Sequence, residues 1–140
     1  MPIASQSIEW IAFASNAFNA LVPLYARMEE VPAYFGNTTL KVDSNAFYWA
    51  SRLIGAMVDS HFQMTANLIE RYQDAVANRS RAILAKYDAL IKDDENAEKT
   101  IALANDELAA MAEEETSKAL NSILFAVSCL MKNGFARSDN

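Results

Sequence analysis

The first third of the chain combines one alternating segment with an irregular one. Residues 8–13, Ile-Glu-Trp-Ile-Ala-Phe, alternate and are rich in β-branched and aromatic side chains, which predicts a strand. No second strand of comparable strength follows, so we expect this strand to lack a partner within the chain. Residues 16–41 contain Pro23, Pro32 and Gly36 and predict a loop with short helical turns. A segment this long and irregular is typical of a functional or docking region.

The pattern changes to a helical period near residue 45. Asp43 or Ser44 is predicted to cap a helix that runs from Asn45 to Val58. Apolar residues cover much of its circumference, so we expect the helix to be buried on more than one side. These residues are Phe47, Trp49, Ala50, Leu53, Ile54 and Met57.

Two long amphipathic helices are predicted after it. The second helix runs from about His61 to Lys92 and the third from about Glu95 to Lys132, with apolar residues at three- and four-residue steps. At 1.5 Å per residue, each is roughly 45–55 Å long. An antiparallel hairpin of this length usually packs against another body or another copy of itself.

Polar residues mark the predicted ends of the two long helices. Asp59 or Ser60 is predicted to cap the second helix. Asp94, in the turn at residues 92–94, is predicted to cap the third helix. The Asn-Gly pair at residues 133–134 predicts the end of the third helix.

These elements define the predicted fold class. It is mainly α: three principal helices, including a long antiparallel helical hairpin, with one short N-terminal strand. We expect a single helical domain over residues 1–140 that forms the C-terminal part of a larger protein, because helices this long need another body to pack against. Residues 1–42 form the strand and irregular docking segment, and residues 43–134 form the helices.

Composition and charge narrow the functional classes. The 140 residues are 52% hydrophobic and carry a net charge of −6, which favours a folded core and disfavours binding to nucleic acid phosphates. No apolar run approaches the roughly 18 residues that span a bilayer, and the first residues lack the features of a signal peptide. A lone cysteine suits a reducing compartment. We therefore expect a cytoplasmic protein with no nucleic acid and no membrane among its partners.

Two residues are candidates for nucleophilic or metal chemistry. His61 is the one histidine of the sequence, which is too few for a zinc site. It is predicted to be a surface residue at a helix N-terminus. Cys129 lies in the apolar helical stretch 126–131 and is predicted to be a buried core residue of low reactivity.

Charged residues offer no stronger candidate. Glu113, Glu114 and Glu115 form a run on a helix, and such runs are usually solvated faces. Arg52 follows Trp49 by three residues and is predicted to form a salt bridge. The sequence therefore assigns no catalytic, cofactor-binding or metal-binding residue, and no cofactor.

Aromatic residues crowd the first third of the chain. Aromatic side chains bury large areas in cores and in interfaces. They form either the core of this chain or a docking surface for another body, and both interpretations stay open. They are Trp10, Phe13, Phe18, Tyr25, Tyr34, Phe35, Phe47, Tyr48 and Trp49.

Several of these segments together resemble the bacterial dipeptidase family of cysteine peptidases, peptidase family C69. They are residues 2–13 (PIASQSIEWIAF), 21–25 (LVPLY), 31–34 (VPAY) and 44–50 (SNAFYWA). The resemblance implies an N-terminal-nucleophile hydrolase with an αββα core, which cleaves dipeptides without a metal and forms homo-oligomers. Its nucleophile is a cysteine at the mature N-terminus, whose own α-amino group is the base.

The sequence departs from that pattern at its start. It begins Met1-Pro2 rather than with a cysteine, and Cys129 does not match the nucleophile position, so no catalytic residue can be carried over. We therefore expect a C-terminal helical fragment of a dipeptidase, inactive alone, whose partners are the missing N-terminal catalytic core and other copies of itself. Two rivals stay open: a free-standing helical protein–protein interaction module, and a helical bundle that binds a small apolar molecule in the aromatic cluster.

Overall fold

The computed structural model describes residues 7–13, 17–92 and 97–138, with the side chains of the last segment described through Leu130. The predicted mainly α class is confirmed, since long helices account for most of these residues. The elements are β1 (Ile8–Ile11), β2 (Val22–Tyr25), α1 (Ala33–Gly36), α2 (Phe47–Ser60), α3 (Phe62–Lys92) and α4 (Ala97–Ser138).

The prediction of an unpartnered strand is wrong, because β1 pairs antiparallel with β2. The second strand lies within the segment predicted as loop, and Pro23 obscured it. Pro23 lies opposite Trp10 in the register. The next outward-facing residue of β2, Tyr25, directs its backbone N–H and C=O to Asn105, away from β1. Alternation along the strand places Pro23 in the same orientation, so its missing N–H removes no ladder hydrogen bond.

The start of α2 differs from the predicted cap. The N-cap position is Ala46, with no side-chain hydrogen bond, and the helix begins at Phe47. The Asp43 carboxylate instead accepts a hydrogen bond from the Asn45 N–H at 2.9 Å. Asp43 therefore orders the turn before the helix rather than its first N–H groups.

The junction between α2 and α3 is also built differently from the prediction. Ser60 belongs to α2, and its hydroxyl donates to the Ala56 carbonyl oxygen at 2.9 Å instead of capping α3. Asp59 is likewise within α2. The helical path breaks at His61, and the Thr65 hydroxyl donates to the His61 carbonyl oxygen at 2.8 Å.

In the long hairpin formed by α3 and α4, both ends of α3 lie within one residue of the prediction. The predicted start of the third helix at Glu95 lies outside the described residues. The predicted turn and Asp94 cap at residues 93–94 lie outside the described residues. The predicted end at residues 133–134 is wrong, because α4 continues to Ser138. A glycine costs a helix interior only about 1 kcal/mol, so an Asn-Gly pair does not by itself end a helix.

The core is a stripe along the hairpin that extends over α2 and β2. Apolar residues of α3 and α4 recur at helical steps and are buried against one another. Polar contacts join the same two helices: the Tyr72 and Thr116 hydroxyls lie 2.8 Å apart, and Arg79 donates to Glu115 at 2.9 Å. The fully buried side chains of the hairpin include Val76, Ile101, Leu108, Met111 and Ile123.

The aromatic residues of the first third are divided between core and surface. Phe47 is fully buried, and its ring centroid lies 5.2–5.5 Å from those of Phe13, Tyr34 and Phe35. Trp10, by contrast, is 57% exposed. The core interpretation therefore holds for most of the cluster, while β1 keeps a large aromatic side chain at the surface.

Candidate functional site

Cys129 lies on the outer surface of α4, so the prediction of a buried thiol is wrong. The helix buries Ile123 and Val127 towards the hairpin core. Cys129 follows Val127 by two residues, about 200° around the helix, which turns it away from that core. Hydropathy along residues 126–131 could not reveal this, because apolar residues occur on both faces there. Among the described residues, no basic group forms a hydrogen bond with its sulfur.

His61 lies at the break between α2 and α3 and is half-buried rather than fully at the surface. Its Nδ1 atom is buried without a hydrogen-bond partner. The backbone of His61 makes the junction, since its N–H donates to the carbonyl oxygens of Met57 and Val58. The position therefore serves to end α2, and no described nucleophile is hydrogen-bonded to the ring.

Arg52 stacks on aromatic rings in place of the predicted salt bridge. Its guanidinium carbon lies 5.2 Å from the Trp49 ring centroid and 5.8 Å from that of Tyr48. The Trp49 indole N–H donates to the Thr39 carbonyl oxygen at 2.8 Å, which fixes the loop before α2. Cation–π contacts of this kind are worth about 0.5–1 kcal/mol at exposed sites, so the group orders a surface loop.

The glutamate run on α4 is largely the solvated face that was predicted. Glu113 and Glu114 are exposed. Glu115 is more sheltered and accepts a hydrogen bond from Arg79 of α3 at 2.9 Å. The Arg79 guanidinium lowers the pKa of the Glu114 carboxyl. These contacts join the two helices and leave no carboxyl pair of the kind used in acid–base catalysis.

The described part of the chain contains neither a metal-binding cluster nor a membrane span. Within it, no three His, Cys, Asp or Glu side chains lie close enough together to hold a metal ion. None of its helices is both long enough and apolar enough to cross a bilayer.

The most organised polar site is built around Tyr25 at the end of β2. The Tyr25 N–H donates to Asn105 Oδ1 at 2.8 Å, and Asn105 Nδ2 donates to the Tyr25 carbonyl oxygen at 3.1 Å. The Tyr25 hydroxyl donates to the Asp88 carboxylate at 2.6 Å. Burial, and then the hydrogen bond to Asp88, raises the pKa of the Tyr25 hydroxyl well above its ordinary value. Tyr25 is thereby fixed to both helices of the hairpin.

A groove of about 760 Å³ adjoins this site, between the loop after β2 and the first turns of α4. Asn105, Met28 and Ala102 are among the residues that line it. Charged residues of both signs line the groove, and the described contacts include no ion pair between them. These residues are Arg27, Glu29, Glu30, Glu98, Lys99 and Asp106. The lining contains no serine, threonine, cysteine or histidine. Its chemistry suits contact with a polar or zwitterionic segment, not nucleophilic attack.

Two residues of this site, Asn105 and Asp88, were not predicted from the sequence. A signal for Asn105 was present, because it lies four residues after Ile101 and three before Leu108, in the apolar series of α4. A polar residue at such a position has to be hydrogen-bonded when buried. Its partner lies 80 residues earlier, and no local pattern reveals a contact of that range.

The first residues of the chain match a known family. Residues 1–75 match the model of peptidase family C69. That stretch contains β1, β2, α1, α2 and the first part of α3.

Similarity to individual proteins extends along the whole chain. A dipeptidase of Bifidobacterium longum is 33% identical over 99% of this chain. A probable dipeptidase A of Streptococcus pyogenes is 33% identical over 95% of it, and a probable dipeptidase B of Lactococcus lactis is 27% identical over 99%. The matches cover 33%, 28% and 29% of those three proteins. The chain thus spans about a third of the length of the relatives it matches.

Proposed function

Because the chain belongs to peptidase family C69, we propose that it is the helical part of a dipeptidase and supplies structure rather than the nucleophile. One observation carries this proposal. A protein named as a dipeptidase matches 99% of the chain, and the match occupies 33% of that relative. The reaction is the hydrolysis of dipeptides, and the nucleophile, an N-terminal cysteine in the family that the sequence resembles, belongs to another part of the enzyme.

The arrangement of the described residues supports a structural role. Cys129 is exposed on a helix, where no described base contacts it. Among the described residues, the hydrogen bonds with the longest range in sequence join the Tyr25 backbone to the Asn105 side chain of α4. The adjoining groove offers charges for binding but has no nucleophile in its lining.

The outer face of α4 supports a second role, in assembly. No charged residue occurs between Lys118 and Lys132. Phe125 is 72% exposed and Leu124 50% exposed on that stretch. Exposed apolar surface of this kind marks interaction sites. We propose that this face contacts other copies of the same protein, in the cytoplasm.

The test compares dipeptide hydrolysis by two purified proteins. One is the 140-residue chain, and the other is the product of the complete reading frame that contains its codons. The proposal expects hydrolysis by the complete product and none by the chain. A Cys129→Ala variant of the complete product should retain full activity, since this thiol is outside the catalytic machinery.

Two results would contradict the proposal. Dipeptide turnover by the 140-residue chain that is lost in its Cys129→Ala variant would place the chemistry within this chain. A complete reading frame that encodes no further polypeptide would exclude the larger enzyme. Light scattering on the same preparations tests the assembly role, which fails if the wild-type protein and a Phe125→Glu variant are equally monomeric.

A further inference from the structure

The two-stranded sheet has two edges, and the chain treats them differently. On the outer edge of β2, the side-chain amide of Asn105 pairs with the N–H and C=O of Tyr25, as the backbone of a neighbouring strand would. Asn105 is 2% exposed. A buried polar side chain on α4 therefore closes this edge, as buried backbone groups require.

Within the described part of the chain, no strand or side chain pairs with the other edge, that of β1. Ala26 donates its N–H to the Ser7 carbonyl oxygen at 2.9 Å, which makes that pair a hydrogen-bonded one. Alternation in an antiparallel ladder then bonds Glu9 and Ile11 to β2 and turns the N–H and C=O groups of Ile8 and Trp10 outward. No hydrogen bond to these outward groups occurs in the described structure.

The side chains of β1 make this edge suitable for pairing. The strand contains neither lysine nor proline, two residues with which proteins often block an edge. Its one charged residue, Glu9, belongs to the positions whose backbone groups bond to β2. Trp10 is 57% exposed beside the outward backbone groups. A sheet of two strands is also marginal by itself, and a third strand would complete it.

We propose that the edge of β1 accepts a further β-strand from the catalytic part of the same polypeptide, with Trp10 covered by that part. The inference rests on the proposed function, which places about two thirds of the enzyme outside this chain. The edge itself determines the kind of partner, because only an extended backbone presents alternating donors and acceptors at the spacing of Ile8 and Trp10. Four residues of β1 limit the added strand to a short one.

Residue-resolved amide exchange tests the proposal on the 140-residue chain and on the product of the complete reading frame. The amides of Ile8 and Trp10 should exchange at least about 100-fold more slowly in the complete product, since opening then requires loss of the added strand. The amides of Glu9 and Ile11 are the internal control. They belong to the β1–β2 ladder and should be protected in both proteins.

A pair of variants separates the backbone of the edge from the tryptophan side chain. Trp10→Val keeps the outward N–H, whereas Trp10→Pro removes it. Pro23, directly opposite, shows that this sheet accepts proline at an outward position. In the complete product, Trp10→Val should retain the slow exchange of the Ile8 amide and Trp10→Pro should lose it.

The possible failures are distinguishable. A complete product that hydrolyses dipeptides while its Ile8 and Trp10 amides exchange as fast as in the isolated chain overturns the strand addition and leaves the proposed function intact. Equal protection of Ile8 in the two variants also overturns it. A reading frame that encodes only these 140 residues overturns the proposed function and, with it, this inference.

Discussion

The helical hairpin and the front third of the molecule reach stability in different ways. In the hairpin, α3 and α4 bury apolar stripes against each other and add contacts such as the one between the Tyr72 and Thr116 hydroxyls. The front third has a two-stranded sheet, whose second strand is fixed to the hairpin by hydrogen bonds of Tyr25 with Asn105 of α4 and Asp88 of α3. The two helices of the hairpin are held together largely by contacts with each other. The front third depends on contacts with the hairpin, and the outward backbone groups of β1 have no described hydrogen-bond partner.

The two regions differ in how far apart in the sequence the residues lie that specify their structure. Helical hydrogen bonds and helical periodicity are local, so the hairpin is specified by residues close together in the chain. The sheet is specified by contacts of long range, such as the one of 80 residues between Tyr25 and Asn105. Loss of the contacts that hold the front third should therefore open it locally, while changes in the apolar core of the hairpin should unfold the whole chain.

The largest effect is expected for Asn105→Leu. The variant keeps a side chain of similar size but leaves the N–H and C=O of Tyr25 buried without partners, at a cost of about 1–3 kcal/mol for each group. Urea unfolding should show the loss of stability. Amide exchange should show that residues 22–25 open first while α3 stays protected.

Asn121→Leu provides the matched control, since Asn121 is exposed on the same helix. Surface changes of this kind alter stability by less than about 0.5 kcal/mol. If Asn105→Leu and Asn121→Leu unfold at the same urea concentration, the Tyr25 contact does not hold the front third.

A cooperative loss is expected for Leu108→Ala in the hairpin core. Leu108 is fully buried, and truncation of a buried leucine costs about 2–5 kcal/mol. Here α3, α4 and β2 should lose amide protection together, in contrast to Asn105→Leu. Leu103→Ala, on the exposed side of α4, is the control and should change the free energy of unfolding little. If Leu108→Ala opened only one region locally, the proposed difference between the hairpin and the front third would be wrong.

A smaller effect, specific to high pH, is expected for Tyr72→Phe. Burial raises the pKa of Tyr72 to about 12, against about 10 in an unfolded chain. The neutral phenol favours the fold, so its contribution is complete below pH 10 and is lost as the pH rises from about 10 to about 12. Between these values the wild-type free energy of unfolding should fall with pH more steeply than that of Tyr72→Phe, by about 1.4 kcal/mol per pH unit.

Thr116→Val separates the hydroxyl contact from the titration. At pH 7 it and Tyr72→Phe should each lose about 1 kcal/mol through the shared hydrogen bond. Thr116→Val should still show a steeper decline above pH 10 than Tyr72→Phe, because it keeps the Tyr72 hydroxyl. Equal alkaline profiles for Tyr72→Phe and the wild type would show that Tyr72 does not titrate on unfolding.

Much of the helical part could be predicted from the sequence, because its signals are local. The predicted starts and ends of α2 and α3 lie within two residues of those observed. The errors concern features that depend on distant residues or on weak local preferences. The presence of Pro23 disfavoured a strand prediction for β2. Proline is tolerated there because its position faces away from β1, which only the register of the sheet shows. Residues 133–134 signalled an end that α4 does not take.

The chemistry of individual side chains was harder to predict. Cys129 was assigned to the core from the hydropathy of its neighbours, but its face of the helix points outward. Arg52 was assigned a carboxylate partner, and it stacks on Trp49 and Tyr48 instead. In both cases the sequence gives the residue type. The burial of Cys129 and the contact partners of Arg52 depend on the tertiary structure and could not be predicted from it.

The most direct test of the central claim is to locate the catalytic thiol. The product of the complete reading frame is treated with iodoacetamide until dipeptide hydrolysis is lost, and the modified cysteine is identified by mass spectrometry. The account predicts that the modification responsible lies outside these 140 residues and that Cys129→Ala is inactivated at the wild-type rate. If inactivation instead follows modification of Cys129 and the Cys129→Ala variant is inactive, this chain carries the nucleophile and the account is wrong.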